Sequence, residues 1–596
     1  MPTMKPISRR DFLKIVGGTA AAAPLVRFPW ARAVDLSPAA GGGTTTLTRT
    51  IVKGSLLGQG SAGAYYELAY GPGEPWTVRT DLWPASSAAF SCKAVFVHFT
   101  DIHLVDAQSP ARVEFLDRFA DMQCESAPLN AAFRPHETMS LQVLESMVQA
   151  VRAVRYGPAT GRPFQFAICT GDNTDNEQYN ELRWFIDALD GRKTVTPNSG
   201  DPTRYEGVQA DDWDDPEYWH PDSSVSDKYK TEYGFPNYDG LLTQSIKPFR
   251  ASGVGVPWWQ TYGNHDGLMQ GNAPRTEAFN AVAVGGLKFD GPPPGIDPCN
   301  FFESVSGYQP THPVTADPNR RVIRRNEYIA EFFKTTGRPV GHGFGPANQG
   351  SDEIAYYVRD DFPQFRFIAL DTVNPGGYSD GSVGQIQFDW LEQRLIEVSG
   401  QYYDEVGNLV TTGNPDRLIV LFSHHGLRSL NNPIQTPNPD DPASNDLPRL
   451  MASDVEAKVH RFPNVIAWVN GHTHDNVVEP RPDTTGRTAG FWDIGTAAHC
   501  DWICQCRIVE VALRTDGTLS IFCTVVDHAA PADPSTAKGV LKLAAIHREL
   551  AANDFQYGFD SKGPGTTLDR NVELTLPAPA WLHAHRETPS RRLARV

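Results

Sequence analysis

The sequence predicts an α/β fold in which short buried strands alternate with helices. Apolar runs rich in Val, Ile or Phe predict buried strands at 94–99, 164–169, 418–422 and 465–469. Apolar residues recur at helical spacing over 138–154 and 385–398. Strands separated by helices are typical of an α/β core.

The remaining pattern predicts further β structure and two long insertions. A strand pair is expected before Trp83, and a hairpin of strands 507–513 and 519–526 turns at Thr515-Asp516-Gly517. A helix is expected near 539–550. The segments 177–255 and 267–350 are rich in Pro, Gly and Asp, and loops of such length are usually lids or binding elements.

Composition and charge narrow the class of protein. With 40% hydrophobic and 21% charged residues the chain is globular, and its 596 residues allow two or more domains or one domain with long insertions. The formal net charge of −17 argues against nucleic acid or an anionic membrane as a partner, because either requires a basic face.

Residues 1–33 have the features of an export signal. Residues 8–14 (SRRDFLK) precede a short apolar stretch at 15–26, and Ala31-Arg32-Ala33 offers a small-x-small cleavage site before Val34. The segment resembles a twin-arginine (Tat) signal, which implies the Tat export machinery as a partner and a periplasmic, envelope or secreted location. The apolar stretch is too short for a typical membrane-spanning helix, and no later run is long enough, so the mature chain is expected to have no transmembrane segment.

Five short clusters of Asp, Asn and His occur along the chain, four of them directly after an apolar run. Polar residues just past the carboxyl ends of strands lie on the rim where open α/β sheets bind ligands. Carboxylate, amide and imidazole ligands suit Zn, Mn or Fe, and the lack of a thiolate favours a catalytic over a structural metal. The clusters are Asp101-Ile102-His103, Gly171-Asp172, Gly263-Asn264-His265-Asp266, His424-His425 and Gly471-His472-Thr473-His474.

Each cluster alone is more often a turn or a hydrogen-bonded strand end. Five such clusters in order, four of them after strand-like runs, favour a shared two-metal site over coincidence. Cys500, Cys504 and Cys506 lie close together but lack a paired CxxC, so buried or disulfide-bonded cysteines are favoured over a zinc site. Arg320, Arg321, Arg324 and Arg325 could bind phosphate, but a solvated helix face paired with surface acids is the favoured interpretation.

The order D-x-H, GD, GNH(D/E), H and GHxH resembles the pattern of the calcineurin-like metallophosphoesterase superfamily, over about residues 94–528. The segment 365–372 also resembles a strand that this family places between its third and fourth clusters. The resemblance implies two mixed β-sheets packed as a sandwich flanked by helices, in four layers. It also implies hydrolysis of a small phosphate monoester or diester, a substrate that bound cations make compatible with an acidic protein.

The resemblance assigns ligands to two divalent ions, which could be Mn, Zn or Fe. Asp172 bridges the two ions, and His424 is chosen over His425 because it is the first histidine after its strand. Two cations held about 3.5–4 Å apart lower the pKa of a bridging water, so that a hydroxide attacks phosphorus. The first ion takes Asp101, His103, Asp172 and His474, and the second takes Asp172, Asn264, His424 and His472.

Two further residues of the third cluster receive catalytic roles. The resemblance implies that His265 stabilises or protonates the leaving oxygen, and Asp266 is expected to orient the His265 ring. Asp175 stands where purple acid phosphatases have a tyrosine, so a purple ferric centre is not expected. Asp175 and Asn176 are expected either to support the site or contact the substrate, or equally to have only a role in a turn.

The predicted organisation is a signal peptide at 1–33, a linker and β extension at 34–93, a catalytic domain at 94–530 that includes both insertions, and a helical, basic tail at 531–596. The predicted function is that of an exported dinuclear phosphoesterase. The alternative is an envelope binding or scaffold protein of the same fold with structural metals. A metallo-β-lactamase is disfavoured because Asp475 directly follows His474, and an amidohydrolase because the His-x-His pair comes last.

Overall fold

The structure, a computed structural model, describes residues 33–34, 43–119, 132–222, 224–303, 310–349, 354–436 and 448–584. The predicted signal before Ala33, Cys124 and the tail residues Arg591, Arg592 and Arg595 lie outside the described residues. The strands are β1 (Ala33–Val34), β2 (Arg49–Gln59), β3 (Ala64–Pro72), β4 (Trp76–Arg79), β5 (Phe90–Phe99), β6 (Phe166–Cys169), β7 (Thr194–Val195), β8 (Phe249–Arg250), β9 (Trp258–Gln260), β10 (Leu287–Phe289), β11 (Thr311–Pro313), β12 (Tyr357–Arg359), β13 (Phe365–Ala369), β14 (Val383–Gly384), β15 (Gln401–Tyr403), β16 (Leu409–Thr411), β17 (Leu418–Phe422), β18 (Arg449–Leu450), β19 (Val465–Asn470), β20 (Val477–Arg481), β21 (Phe491–Gly495), β22 (Gln505–Arg514), β23 (Thr518–Asp527) and β24 (Val572–Pro577).

Helices connect and cover these strands. The long helix α1 begins just after its predicted start, and the helices of the two insertions are mostly short. The α-helices are α1 (Ser140–Val154), α2 (Tyr179–Asp190), α3 (Lys228–Tyr233), α4 (Leu241–Ser245), α5 (Asn264–Gly267), α6 (Glu277–Ala283), α7 (Arg325–Phe333), α8 (Gln385–Ile396), α9 (Ala452–Val459), α10 (Gly539–Asn553) and α11 (Ala580–Ala584).

Two mixed sheets form the body of the protein. The first has eight strands in the order β1-β4-β24-β23-β22-β5-β6-β9, and the second has six in the order β12-β13-β17-β19-β21-β20. In the first sheet β5, β6 and β9 are parallel neighbours. In the second sheet β13, β17, β19 and β21 are parallel neighbours. The expected mixed α/β fold is confirmed, whereas the four-layer sandwich stays a prediction.

Aromatic side chains from both sheets meet in one hydrophobic core. The fully buried ring of Phe96 on β5 lies 5.6 Å from that of Phe422 on β17 and 6.3 Å from that of Phe367 on β13. Phe166 on β6 stacks on Phe96 with centroids 5.0 Å apart. Edge-to-face and offset contacts of this kind stabilise a core beyond the area that they bury. They fix the parallel strands of one sheet relative to those of the other.

Segments from both ends of the described chain enter the first sheet. β24, at Val572–Pro577, lies between β23 and β4, and it pairs with β4 in parallel. The expected hairpin near the C-terminus is present as β22 and β23, with strands longer than predicted. Among the described residues, no helix has both the length and the apolar character needed to cross a bilayer.

We predict that Phe96→Ala destabilises the protein by about 3–5 kcal/mol, because it removes a fully buried ring from the contact between the sheets. Urea unfolding followed by circular dichroism would measure the change. Leu409→Ala is the control, since Leu409 on β16 is 53% exposed and its loss should stay within about 0.5 kcal/mol. Equal effects of the two changes would contradict the proposed role of the aromatic core.

Candidate metal centre

The parallel strands place the five clusters at one edge of the molecule. Asp101, Asp172 and Asn264 follow the carboxyl ends of β5, β6 and β9 in the first sheet. His424 and His472 follow the ends of β17 and β19 in the second sheet. Because the two sheets share a core, these ends meet, and the structure brings the predicted ligand side chains together.

The backbone at these ends adopts a conformation that side-chain-bearing residues rarely take. Asp101, His103, Asp172, His472 and His474 all have positive φ, between 44° and 72°. Such left-handed residues cost of order 1–3 kcal/mol each and cluster at functional sites. The turn conformation carries these side chains inward, and the five are at most half-exposed.

One group of atoms surrounds a point between Asp101, His103 and His474. The Nε2 atoms of His103 and His474 lie 3.2 Å apart, and His474 Nε2 lies 3.4 Å from Asp101 Oδ1. Asp172 Oδ2 lies 3.5 Å from His103 Nε2. These are the four side chains predicted to hold the first ion.

A second group shares Asp172 with the first. Asp172 Oδ2 lies 3.1 Å from His424 Nε2, which is 3.2 Å from Nδ1 of His472. Asn264 is buried, and its Oδ1 atom has no hydrogen-bond partner among the described residues. Its Nδ2 donates to the carbonyl of Gly271, which fixes the orientation of the amide. A buried carbonyl oxygen left without a donor is what a cation ligand requires.

These separations fit metal coordination. Ligand atoms that each lie about 2.0–2.2 Å from one ion are roughly 3.0–3.5 Å from one another in tetrahedral or octahedral geometry. Asp101, Asp172 and His424 also form one of several groups whose ligand atoms all lie within 4.8 Å of one another. The other such groups are His103, His474 and Cys500; His424, His425 and His472; and His103, Asp175 and His265.

Each of the four imidazoles that face this centre has an acceptor on its other nitrogen. His424 Nδ1 donates to the carbonyl of Thr170 at 2.9 Å. His103 Nδ1 donates to Asp175 at 2.8 Å, and His474 Nδ1 donates to Asp501 at 2.5 Å. His472 Nε2 lies 3.3 Å from Asp380. Such outer contacts fix the tautomer and leave the inner nitrogen free to bind an ion.

His425 differs from its neighbour His424. Its Nδ1 lies 2.9 Å from the Thr372 hydroxyl, and its Nε2 donates to the carbonyl of Ser379 at 2.8 Å. Both ring nitrogens are therefore engaged within the protein. The choice of His424 rather than His425 as the ligand stays a prediction.

His265 and Asp266 lie at the centre but do not contact each other as expected. His265 Nδ1 donates to the backbone carbonyl of Asp175 at 2.9 Å, and the His265 ring is 4.4 Å from that of His103. The Asp266 carboxylate instead accepts from the backbone amides of Gly263, Asn173 and Thr174 at 3.0–3.1 Å. Asp266 thus joins the third cluster to the loop after Asp172, and the expected orientation of the imidazole comes from Asp175.

Asp175 supports the centre from a buried ion pair. Besides His103 it accepts a hydrogen bond from Arg112, which is also bound by Glu137. Burial raises the pKa of Asp175, but Arg112 and His103 outweigh this and hold it well below its usual value. Asp175 is therefore an anion that faces the outer nitrogen of a predicted ligand.

The pKa values of His424 and Asp172 show that these two groups favour each other's charged forms. Burial lowers the pKa of His424, but Asp172 more than offsets this and raises it to about 9. Burial raises the pKa of Asp172, yet His424 and His265 hold it well below its usual value. Burial and the nearby His103 ring lower the pKa of His265 to about 4, although Asp172 and Asp175 act in the opposite direction. The cluster is an electrostatic environment suited to cations.

Three groups that contact the outer nitrogens of the imidazoles were not predicted from the sequence: Asp501, Asp380 and the carbonyl of Thr170. Asp501 follows β21 in a segment noted only for its cysteines, and Asp380 lies in the loop before β14. The Thr170 contact uses a backbone carbonyl, which carries no residue-type signal. Each depends on contacts between distant parts of the chain, so a local pattern could not have revealed it.

The arginine group at 320–325 is divided between the surface and the interior. Arg321 and Arg324 pair with the surface acids Glu327 and Glu277, as expected, whereas Arg320 and Arg325 are buried. Arg320 is fully buried and donates to Ser199 and to the carbonyl of Thr315. Arg325 is buried against Asp371, with the two charged groups 2.9 Å apart. Burial of these guanidinium groups ties the second insertion to the body of the protein.

Comparisons with known proteins found similarity among solved structures. No protein-family model and no curated protein matches the chain. Among solved structures, the chain is similar to a dimetal phosphatase from Danio rerio, with a TM-score of 0.32 and 12% sequence identity. The alignment covers 74% of this chain and 100% of that one.

We predict that Gly271→Ala weakens Mn²⁺ binding by about 10- to 100-fold, the range typical of disturbed outer contacts. Gly271 has φ +69°, and an added Cβ would lie 2.4 Å from Nε2 of His265 and 2.5 Å from Nδ2 of Asn264. Isothermal titration calorimetry of chelator-treated protein would measure the affinity.

The control for this change is Gly295→Ala, which introduces the same left-handed strain at φ +81°. An added Cβ there would meet no atom of the described residues within 4 Å. Both variants should lose about 1–2 kcal/mol of stability from the backbone conformation. Only Gly271→Ala should bind Mn²⁺ less tightly, and equal affinities in the two variants would contradict the prediction.

Proposed function

We propose that this chain is an exported, dinuclear metal-dependent phosphoesterase of the calcineurin-like superfamily, which hydrolyses a small phosphate monoester or diester. The observation that carries the proposal is the position of Asp172 Oδ2, 3.5 Å from His103 Nε2 and 3.1 Å from His424 Nε2. One carboxylate oxygen thus lies between two sets of imidazoles. A bridging carboxylate of this kind is expected of a centre with two ions that share a ligand.

The residues divide into ion ligands and groups that act on the substrate. Asp101, His103, Asp172 and His474 would hold one ion, and Asp172, Asn264, His424 and His472 the other. Two bound divalent ions, Mn, Zn or Fe, would activate a water molecule and offset charge on the phosphate oxygens. The chain itself holds every imidazole in one tautomer before the substrate arrives, so little reorganisation is needed during the reaction.

His265 is the group that we assign to the leaving oxygen. Its Nδ1 is fixed by the carbonyl of Asp175, so that Nε2 is the atom left to meet a substrate. The side chain is 19% exposed, whereas Asp172 beside it is buried. Asp172 in turn accepts from the backbone amide of His265 at 2.8 Å, which holds the histidine against the bridging carboxylate.

The proposed location follows from the N-terminal sequence. A Tat signal would carry the folded chain, with its ions already bound, across the cytoplasmic membrane to the envelope, the periplasm or the medium. The competing proposal is an envelope binding or scaffold protein with structural metals. It explains the ligands but gives no use for a partly exposed His265 beside them.

We predict that Asp172→Asn abolishes hydrolysis of p-nitrophenyl phosphate and bis(p-nitrophenyl) phosphate and lowers the metal content of purified protein. Removing the negative charge deprives both sites of their shared ligand. Activity of the wild-type protein should disappear after chelation and return with Mn²⁺ or Zn²⁺. Release of p-nitrophenol would measure hydrolysis, and elemental analysis would measure metal content.

Asp361→Asn is the matched control for this change, because Asp361 is 41% exposed and pairs with Arg359 away from the centre. It should retain wild-type activity and metal content. Undiminished turnover by Asp172→Asn would overturn the proposed function.

We also predict that His265→Asn lowers kcat by about 10²–10⁴-fold, the contribution typical of a general acid, while the metal content stays at the wild-type level. The asparagine amide can still donate to the Asp175 carbonyl. Steady-state kinetics and elemental analysis would separate the two effects. If the wild-type protein contains its metals but hydrolyses neither ester, the result would instead support the scaffold proposal.

A further inference from the structure

Asp501 lies against the outer nitrogen of a predicted metal ligand. It follows β21, the parallel strand next to β19, and its Oδ2 accepts from His474 Nδ1 at 2.5 Å. The Asp501 side chain is 3% exposed. The opposite nitrogen of the same ring, Nε2, is the one that faces Asp101 and His103.

A buried arginine clamps Asp501 in this position. Arg134 Nε donates to Asp501 Oδ1 at 2.7 Å, and Arg134 Nη2 donates to Oδ2 at 3.2 Å. Paired contacts from a guanidinium group fix a carboxylate in orientation as well as in position. His136 Nε2 lies 3.8 Å from Oδ1 on another side. Asp501 is therefore held rigidly by residues that belong to no predicted cluster.

The clamp continues to the other imidazole of the same ion site. The backbone amide of Arg134 donates to Glu137 at 3.0 Å, and Glu137 accepts from Arg112, the partner of Asp175. Asp175 binds the outer nitrogen of His103. One buried network thus supports the two imidazoles whose Nε2 atoms face each other.

The second ion site has weaker outer support. His424 is held by the neutral carbonyl of Thr170. His472 faces Asp380 at 3.3 Å, and that carboxylate is 40% exposed. A buried charged acceptor restrains a ring and raises its basicity more than a neutral or solvated one. The contrast singles out the side of the centre that contains His474.

We infer that Asp501 is a positioning residue that sets the affinity of the first ion site, by holding His474 with Nδ1 protonated and Nε2 turned to the ion. The inference rests on the proposed dinuclear centre. It adds a residue outside the five clusters to the machinery that the sequence pattern defines.

Cys500 is the rival for this role. Its Sγ atom lies 3.9 Å from His474 Nδ1, and it forms a possible ligand group with His103 and His474. Its distance to Nδ1 exceeds that of Asp501 by 1.4 Å (3.9 minus 2.5). A nitrogen that donates to Asp501 cannot at the same time bind an ion beside the thiol.

The test is a titration of chelator-treated full-length protein with Mn²⁺ alone, monitored by isothermal titration calorimetry. Wild type should show two binding events. Asp501→Asn should weaken one of them by about 10- to 100-fold and leave the other unchanged, as is typical when the outer partner of a ligand is lost. Wild-type affinity at both sites in this variant would overturn the inference.

Two controls separate Asp501 from its neighbours. Asp475→Asn makes the same change of charge next to His474, but Asp475 contacts Arg428 at 3.4 Å, so both binding events should be retained. Cys500→Ser should also retain both. Loss of one event in Cys500→Ser, with none in Asp501→Asn, would assign the role to the thiol instead.

A folding control is needed because Asp501→Asn leaves the buried Arg134 without its charged partner. The double variant Asp501→Asn, Arg134→Gln replaces the ion pair by a neutral hydrogen-bonded pair. It should show the same loss of one binding event while its metal-free form unfolds at a temperature close to that of wild type. Two wild-type binding events in the double variant would also overturn the inference.

The outcomes distinguish this inference from the proposed function. If wild type binds two ions but hydrolyses no phosphate ester, the proposed function fails and the role of Asp501 in binding stands. If wild type is an active esterase and Asp501→Asn binds Mn²⁺ normally, only the role of Asp501 fails.

Discussion

The contact of the Asp172 carboxylate with two imidazoles organises the centre. Its Oδ2 faces His103 from the first sheet and His424 from the second, while its Oδ1 accepts from the amide of His265. A single side chain thereby joins its own cluster to three of the other four. That carboxylate can make all of these contacts only because the carboxyl ends of the two sets of parallel strands meet at one edge. The aromatic contacts of Phe96, and with them the packing of the two sheets, therefore determine how closely the side chains of the candidate metal centre approach one another.

Support for the ligands is distributed unevenly. Two buried carboxylates, each paired with a buried arginine, restrain His103 and His474, whereas a carbonyl and a half-exposed carboxylate restrain His424 and His472. The buried charged groups, which are costly to remove from water, therefore lie on one side of the centre. Buried charges are tolerated only when each has an oppositely charged partner. The pairs Asp175–Arg112 and Asp501–Arg134 meet this requirement.

The sequence predicted those features that local patterns encode. The apolar runs located the strands before Asp101, Asp172 and His424 to within a few residues, since a buried strand must be apolar over its whole length. Spacing could not reveal Asp501, whose partner Arg134 lies 367 positions away. Nor could it show that Arg320 is buried, since a guanidinium group can lie either in solvent or against carbonyl groups. Asp266 was expected to orient the His265 ring, but it accepts hydrogen bonds from backbone amides instead. Backbone amides are common to nearly all residue types, so the sequence could not identify these partners.

The insertion of β24 between β23 and β4 has a consequence for biosynthesis. Until residues 572–577 have left the ribosome, β23 and β4 present open edges that can pair with other chains. The eight-stranded sheet is therefore completed only after residues 572–577 have been synthesised, whatever the earlier segments have already formed.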